Sequence, residues 1–105
     1  MIAPNAPPDG RRGGPRKAFR AEVTIVNRRG LHARAAAKFV KVAEQFVAQV
    51  DVRKDDIVVC GTSIMGLMVL AAGLGSQLEI RTSGREAQAA LAALVALVER
   101  GFDEN

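Results

Sequence analysis

The sequence predicts an α+β fold, a two-layer sandwich in which a small sheet is covered by helices. Three observations predict it. Segments that alternate apolar and polar residues with period two are interspersed with segments of helical period. Their order is strand, helix, strand, strand, helix, strand, helix, which makes four strands and three helices. Apolar residues fall on one face of each strand and one stripe of each helix, the pattern of a sheet buried on one side. A chain of 105 residues, 49% apolar and 25% charged, suits a single globular core and excludes a wholly disordered chain. With no Trp or Tyr, that core is built from aliphatics, four Phe and many Ala. Such a domain has little room for a large catalytic cleft, but a shallow site at the edge of an element fits.

Phe19–Val26 is the first strand, with Phe19, Ala21, Val23 and Ile25 on one face and Arg20, Glu22 and Thr24 on the other. Asn27-Arg28-Arg29-Gly30 breaks it as a turn. A helix over Ala33–Phe46 follows, with Ala35, Ala36, Phe39, Val40, Val42, Ala43 and Phe46 recurring at helical spacing. In the strand Val47–Arg53, Ala48, Val50 and Val52 alternate with Gln49, Asp51 and Arg53, and Lys54-Asp55-Asp56 turns the chain into an apolar strand, Ile57–Cys60. Gly61-Thr62-Ser63 opens a short helix, Ile64–Leu70, which Ser63 or Thr62 can cap. The glycines of Ala71–Gly75 end it. Gln77–Thr82 alternates again, with Leu78 and Ile80 inward. In the last helix, Glu86–Arg100, the residues Ala87, Ala90, Leu91, Leu94, Leu97 and Val98 form the buried stripe, and Gly101 stops it.

Residues 1–17 read as a flexible, basic, Pro/Gly-rich tail and residues 18–105 as the folded domain. All four prolines lie in the tail. It also carries +3 of the net charge of +4. A nearly balanced domain without an aromatic stacking platform argues against nucleic acid as a partner. A nucleic-acid-binding module would rest only on the tail and Arg28-Arg29. Cys60 is the single cysteine, so an intrachain disulfide and a cysteine-pair metal site are excluded, and a reducing, cytoplasmic setting is expected. No charged segment followed by an apolar run marks a secretory signal at the N-terminus. The longest mostly apolar stretch, Ile64 to Leu74, is too short to span a bilayer, so no membrane partner is expected.

His32, the only histidine, stands between the glycine turn and the first helix. There the first helical N–H groups lack intrachain partners and favour an anion. Its imidazole is a competent nucleophile, and Arg34 is close in sequence. On spacing alone, the preferred reading is still the plainer one, a polar loop residue ahead of a helix. Without a second His or a neighbouring Cys, a metal site is not expected, and the pattern calls for no cofactor. Ser63 is the second candidate. A structural cap is the simpler role, although a phosphate there would also meet free N–H groups. Met65, Leu67, Met68 and Leu70 are the usual core pattern, yet in so short a helix some of them can form an exposed docking patch.

Two motifs, Asn27-Arg28-Arg29-Gly30-Leu31-His32-Ala33-Arg34 and Ser63-Ile64-Met65-Gly66-Leu67-Met68, resemble the histidine-containing phosphocarrier protein (HPr) family of the bacterial phosphotransferase system. The resemblance covers roughly residues 18–105. Gly101-Phe102-Asp103-Glu104 looks like the nitrogen-related branch. The resemblance implies an open-faced sandwich, a four-stranded antiparallel sheet with three helices on one face. It implies that His32 accepts a phosphoryl group on Nδ1 from phosphorylated Enzyme I, supplied by phosphoenolpyruvate, and passes it to an EIIA-type protein. Arg34 matches the arginine beside the active histidine. Ser63 matches the serine that HPr kinase/phosphorylase modifies in some bacteria. Ala33, Ala37, Met65, Leu67 and Met68 match positions on or near the partner-docking face. Such a protein is a phosphorylated intermediate rather than an enzyme. The alternative on the same fold is a regulatory protein whose phosphorylation selects its partner. One departure stands out: Ala35 occupies the position directly after the arginine, where the family usually has Pro. Ala keeps the helix but loosens its pre-organised first turn.

Overall fold

The computed structural model describes residues 18–104, so the reading of residues 1–17 as a tail lies outside the described residues. The expected element order is observed: β1 (Ala18–Thr24), α1 (Ala33–Ala43), β2 (Gln49–Lys54), β3 (Ile57–Cys60), α2 (Ile64–Val69), β4 (Gln77–Ser83) and α3 (Ala87–Glu99). A single 3₁₀ turn, Gly101–Asp103, follows α3.

The strands form one antiparallel sheet in the order β1-β4-β2-β3. Registers such as Val23↔Leu78 and Val52↔Ile80 place the apolar residues of neighbouring strands side by side. The helices cover this face: α3 lies over β1 and β4, and α1 packs against α2 and α3. The core between the layers holds Val23, Ile25, Val50, Val52, Leu78 and Ile80 from the sheet side and Ala35, Ala36, Phe39, Leu67, Leu94, Leu97 and Val98 from the helices. Burying a large aliphatic or Phe side chain is worth about 1.5–3 kcal/mol, so these residues set the layer spacing. Thr82 is a buried polar exception, and its Oγ1 donates to the Ala87 carbonyl at 2.8 Å.

Several boundaries differ from the sequence expectation, among them the end of β1, which is Thr24 rather than Val26. α1 ends at Ala43 rather than Phe46, because Gln45 N–H bonds to the Val42 carbonyl and Phe46 N–H to that of Ala43, which tightens the chain out of the helix. The next strand starts at Gln49 rather than Val47. Val47 pairs with Glu86 instead: its N–H donates to Glu86 Oε1 at 2.7 Å and its carbonyl accepts from Glu86 N–H at 2.9 Å. Glu86 and Arg100, expected inside the last helix, are its flanking residues. The hairpin closes through Asp55-Asp56, with Asp55 at φ 55, a left-handed conformation that Asp tolerates better than most residues. β3 occupies the expected residues, but as an edge strand it leaves Ile57 and Val58 exposed and only Val59 packed against the core.

Candidate functional site

The loop between β1 and α1 delivers His32 to the start of a helix. Gly30 adopts φ 68, and a Cβ there would stand 2.5 Å from the Ala72 carbonyl oxygen. The close approach lets Leu31 N–H donate to that same oxygen at 2.8 Å. The segment after α2 thereby clamps the residue ahead of His32. His32 itself is the N-cap of α1, with extended backbone and no capping bond from its side chain. Its carbonyl accepts from Ala36 N–H at 2.8 Å, which begins the helical ladder. The N–H groups of Ala33, Arg34 and Ala35 find no acceptor among the described residues. Three donors at the positive end of an 11-residue helix form a cradle for an anion.

Imidazole Nε2 is hydrogen-bonded to the Glu104 carboxylate through Oε2. Nδ1 makes no hydrogen bond among the described residues. The ring is 16% exposed, so one side is covered while part of it still reaches solvent. The other carboxylate oxygen, Glu104 Oε1, accepts from Asn27 Nδ2 at 3.0 Å, and the same Nδ2 donates to the Gly30 carbonyl at 2.9 Å. Asn27 is buried, and both of its amide bonds run through Nδ2 to oxygen acceptors, which fixes the orientation of the side chain. The Glu104 carboxyl is held below the usual carboxylate range by the Asn27 amide first and His32 second, against a desolvation that favours the neutral acid. Arg29 adds a smaller attraction.

Glu104 reaches His32 on a strap that turns back after α3. Gly101, Phe102 and Asp103 take φ of 67, 57 and 63 in succession. A left-handed conformation costs a residue with a side chain about 1–2 kcal/mol, so two such residues in a row persist only where contacts over-determine them. Here Phe102 is fully buried, Lys38 Nζ on α1 donates to the Phe102 carbonyl at 2.7 Å, and Arg100 pairs with Asp103 at 2.7 Å. Sequence reasoning missed Glu104, Asn27 and Lys38. The available signal was Phe102, a large apolar residue beyond the helix-stopping Gly101, which marks a chain still packed on the core.

Arg34 occupies the second helical position, exposed, with no ion pair among the described residues. Ala33 and Ala37 are exposed one turn apart on the same helix. Ser63 caps α2, its Oγ accepting from Gly66 N–H at 2.9 Å. Met65 and Met68 are exposed, at 78% and 45%. Leu67 is not: it is fully buried, because the inward side of this one-and-a-half-turn helix faces the core. Expected on or near a docking face, it offers no surface to a partner. Among the described residues no group of His, Cys, Asp and Glu is placed to hold a metal, and no helix is long and apolar enough to cross a membrane. A cavity of 480 Å³ opens beside the strap, lined by Val26, Asn27, Arg28, Leu74, Glu99, Arg100, Gly101 and Glu104, but His32 is not part of its wall.

The family model described as the PTS HPr component phosphorylation site matches residues 19–100. The chain belongs to the HPr family. The HPr phosphocarrier protein of Pseudomonas putida is 54% identical over 85 residues, covering 80% of this chain and 94% of that protein. The phosphocarrier protein NPr of Shewanella violacea is 40% identical over 83 residues, covering 79% and 91%. The crystal structure of an HPr from Thermoanaerobacter tengcongensis superposes with a TM-score of 0.80 at 39% identity, covering 83% of this chain and 98% of that one. The open-faced sandwich of four antiparallel strands and three helices is thus the HPr fold, and the chain is a member of the phosphocarrier family of the phosphotransferase system.

Proposed function

We propose that the protein carries a phosphoryl group on His32 Nδ1, received from phosphorylated Enzyme I and passed to EIIA-type proteins. The observation that carries this reading is the start of α1: a histidine with Nε2 occupied and Nδ1 unengaged stands beside three N–H groups without acceptors. Engagement of Nε2 by a carboxylate favours the tautomer with its proton on Nε2 and its lone pair on Nδ1. The attached phosphoryl oxygens would accept from the N–H groups of Ala33, Arg34 and Ala35, with the Arg34 guanidinium as a mobile cation beside them. Ala35 bears on this directly. Proline at that position would remove one of the three donors, so Ala exchanges some backbone pre-organisation for an extra hydrogen bond.

Specificity in this reading lies in a surface made by Ala33 and Ala37 on α1 with Met65 and Met68 on α2, a polarizable apolar patch suited to several partners. Ser63 is the regulatory position. Phosphorylation there, for instance by an HPr kinase/phosphorylase, would put charge at the head of α2 beside the docking methionines. The protein acts as a phosphorylated intermediate in the cytoplasm rather than as an enzyme, with residues 1–17 as an extension of the 18–105 domain.

The test is an incubation with phosphoenolpyruvate and a cognate Enzyme I, read by intact mass. One acid-labile phosphoryl group is expected on the parent protein and none on His32→Ala. A parent protein that stays unmodified, while the same Enzyme I loads a control carrier, would refute the reading. Modification of Ser63 is tested separately with an ATP-dependent HPr kinase and the Ser63→Ala variant, which should remain unmodified.

A further inference from the structure

The face of the sheet turned away from the helices carries a charge pattern that the phosphocarrier reading does not use. Alternate residues point to it: Arg20 and Glu22 from β1, Glu79 and Arg81 from β4, Asp51 and Arg53 from β2, and Val58 and Cys60 from β3. The registers align them in two rows. One row runs Glu22, Glu79, Arg53, Val58, and the other runs Arg20, Arg81, Asp51, Cys60. Within one copy the rows are poorly matched. Glu22 lies directly opposite Glu79, and Arg20 directly opposite Arg81, and like charges facing each other across strands are destabilising. Glu79 gathers Arg20 at 3.0 Å, Arg81 at 3.7 Å and Arg53 at 3.8 Å, and is nearly buried beneath them. Glu22 and Asp51 are left without an ion pair among the described residues.

We propose that this face docks a second copy of the chain, sheet against sheet, about a two-fold axis that runs across the strands between the two rows. Such an axis exchanges the rows. Each residue then faces, on the second copy, the residue two positions along its own strand. Glu22 meets Arg20, Glu79 meets Arg81, Asp51 meets Arg53, and Val58 meets Cys60. The symmetry makes each of these contacts twice, so every charge of the face meets its opposite. An axis along the strands does worse. Depending on its position it sets Glu79 on Glu79, or Glu22 on Glu79, or the charged pair of β1 against Val58 and Cys60.

The balance of the face identifies the occupant. Arg20, Arg53 and Arg81 offset Glu22, Glu79 and Asp51, so no net charge draws a strongly acidic or basic partner. What the face selects is a surface with the same alternation in the opposite sense, and the two-fold axis supplies it from the same sequence. The axis also lays the strands of the two copies antiparallel, within the angle of about 30° at which aligned sheets pack. Val58, exposed on the edge strand, gains an apolar contact. Four strands about 4.8 Å apart make a face about 19 Å wide. It covers a few hundred square ångströms per copy, less than the roughly 800 Å² per partner of a stable interface, so the dimer is weak and depends on concentration. His32 and α1 lie in the helical layer, and pairing leaves them open.

The experiment is sedimentation of the full chain from about 10 μM to about 1 mM, at low and high salt. The parent should pass from monomer towards dimer over that range, and less so at high salt, where exposed charges are screened. Glu22→Arg places an arginine opposite Glu79, which suits the single copy, but it sets arginine against Arg20 of the second copy twice over. Its dimerisation should weaken roughly tenfold or more, with no fall in the melting temperature measured on the dilute protein. Mixed with Arg20→Glu, it should form heterodimers more readily than either variant associates with itself. Amide NMR shifts of the parent on dilution should fall on β1, β4 and β2. A parent that stays monomeric at about 1 mM would overturn the proposal. So would a dimer that Glu22→Arg leaves unchanged, which would assign the contact to a sheet edge or a helix face.

Discussion

Replacing Gly30 with Ala tests how the loop delivers His32. Gly30 lies at φ 68, and a left-handed conformation costs an L-residue about 1–2 kcal/mol. The new Cβ would also meet the Ala72 carbonyl oxygen at 2.5 Å and Gly73 Cα at 2.8 Å. Both are backbone atoms, so no side-chain rotation relieves the clash, and overpacking of this kind adds about 1–3 kcal/mol. The combined destabilisation is roughly 2–5 kcal/mol. At about 4–8 °C per kcal/mol for a domain of this size, the melting temperature should fall by roughly 10 °C or more. The damage should also reach the site. The displaced Ala72 carbonyl is the acceptor for Leu31 N–H at 2.8 Å, so the residue preceding His32 loses its clamp. Thermal unfolding by circular dichroism and the rate of phosphoryl loading are the two readouts. A Gly30→Ala protein that melts within about 3 °C of the parent would refute the argument that this glycine is required by backbone conformation and contact.

Four further outcomes follow from the same structure. Ser63→Ala removes the acceptor for Gly66 N–H and should cost about 1 kcal/mol, seen as faster hydrogen exchange of the Gly66 amide; unchanged exchange would show that the cap does not hold α2. Leu67→Ala should destabilise the fold by about 2–5 kcal/mol, as for a fully buried Leu. Met65→Ala should leave stability within about 0.5 kcal/mol yet weaken binding to Enzyme I, and the reverse ranking would overturn the division into support and contact. For pH, the Glu104 carboxyl is lowered from its ordinary value of 4.5 in the folded protein, so around and below that value the unfolded chain binds more protons. Its stabilising contribution should be fully present above 4.5 and fade as pH falls through the lowered value. The difference in melting temperature between parent and Glu104→Gln should therefore shrink on acidification, and a difference that grows would contradict the sign.

Much of this architecture is legible in local pattern. Alternation located β1, β2 and β4, while β3 was legible as a short apolar run after a polar turn, and the helical stripe of α3 reappears as buried Ala87, Ala90, Leu94, Leu97 and Val98. The cap at Ser63 was legible for a similar reason, since a hydroxyl ahead of a short apolar helix has one local use. The place of His32 at the start of α1 was legible from its position between Gly30 and the alanine run. What stayed hidden depends on contacts between distant residues. The bond from Glu104 to His32 spans 72 positions, and no local pattern encodes it. The same holds for Val47, whose backbone pairs with Glu86 across 39 positions and so delays the start of β2. Leu67 and Met68 are adjacent and similar in hydrophobicity, and only the direction in which α2 meets the core decides which is buried. The exposed apolar edge of β3 likewise follows from sheet order, which composition does not reveal.

The proposed function turns on His32 Nδ1 as the phosphoryl-bearing atom. The most direct measurement is nitrogen-15 NMR of the imidazole after loading with phosphoenolpyruvate and Enzyme I. Phosphorus coupling is expected at Nδ1, with the proton at Nε2. A phosphoryl group on Nε2, on Ser63 or on any other residue in that reaction would contradict it.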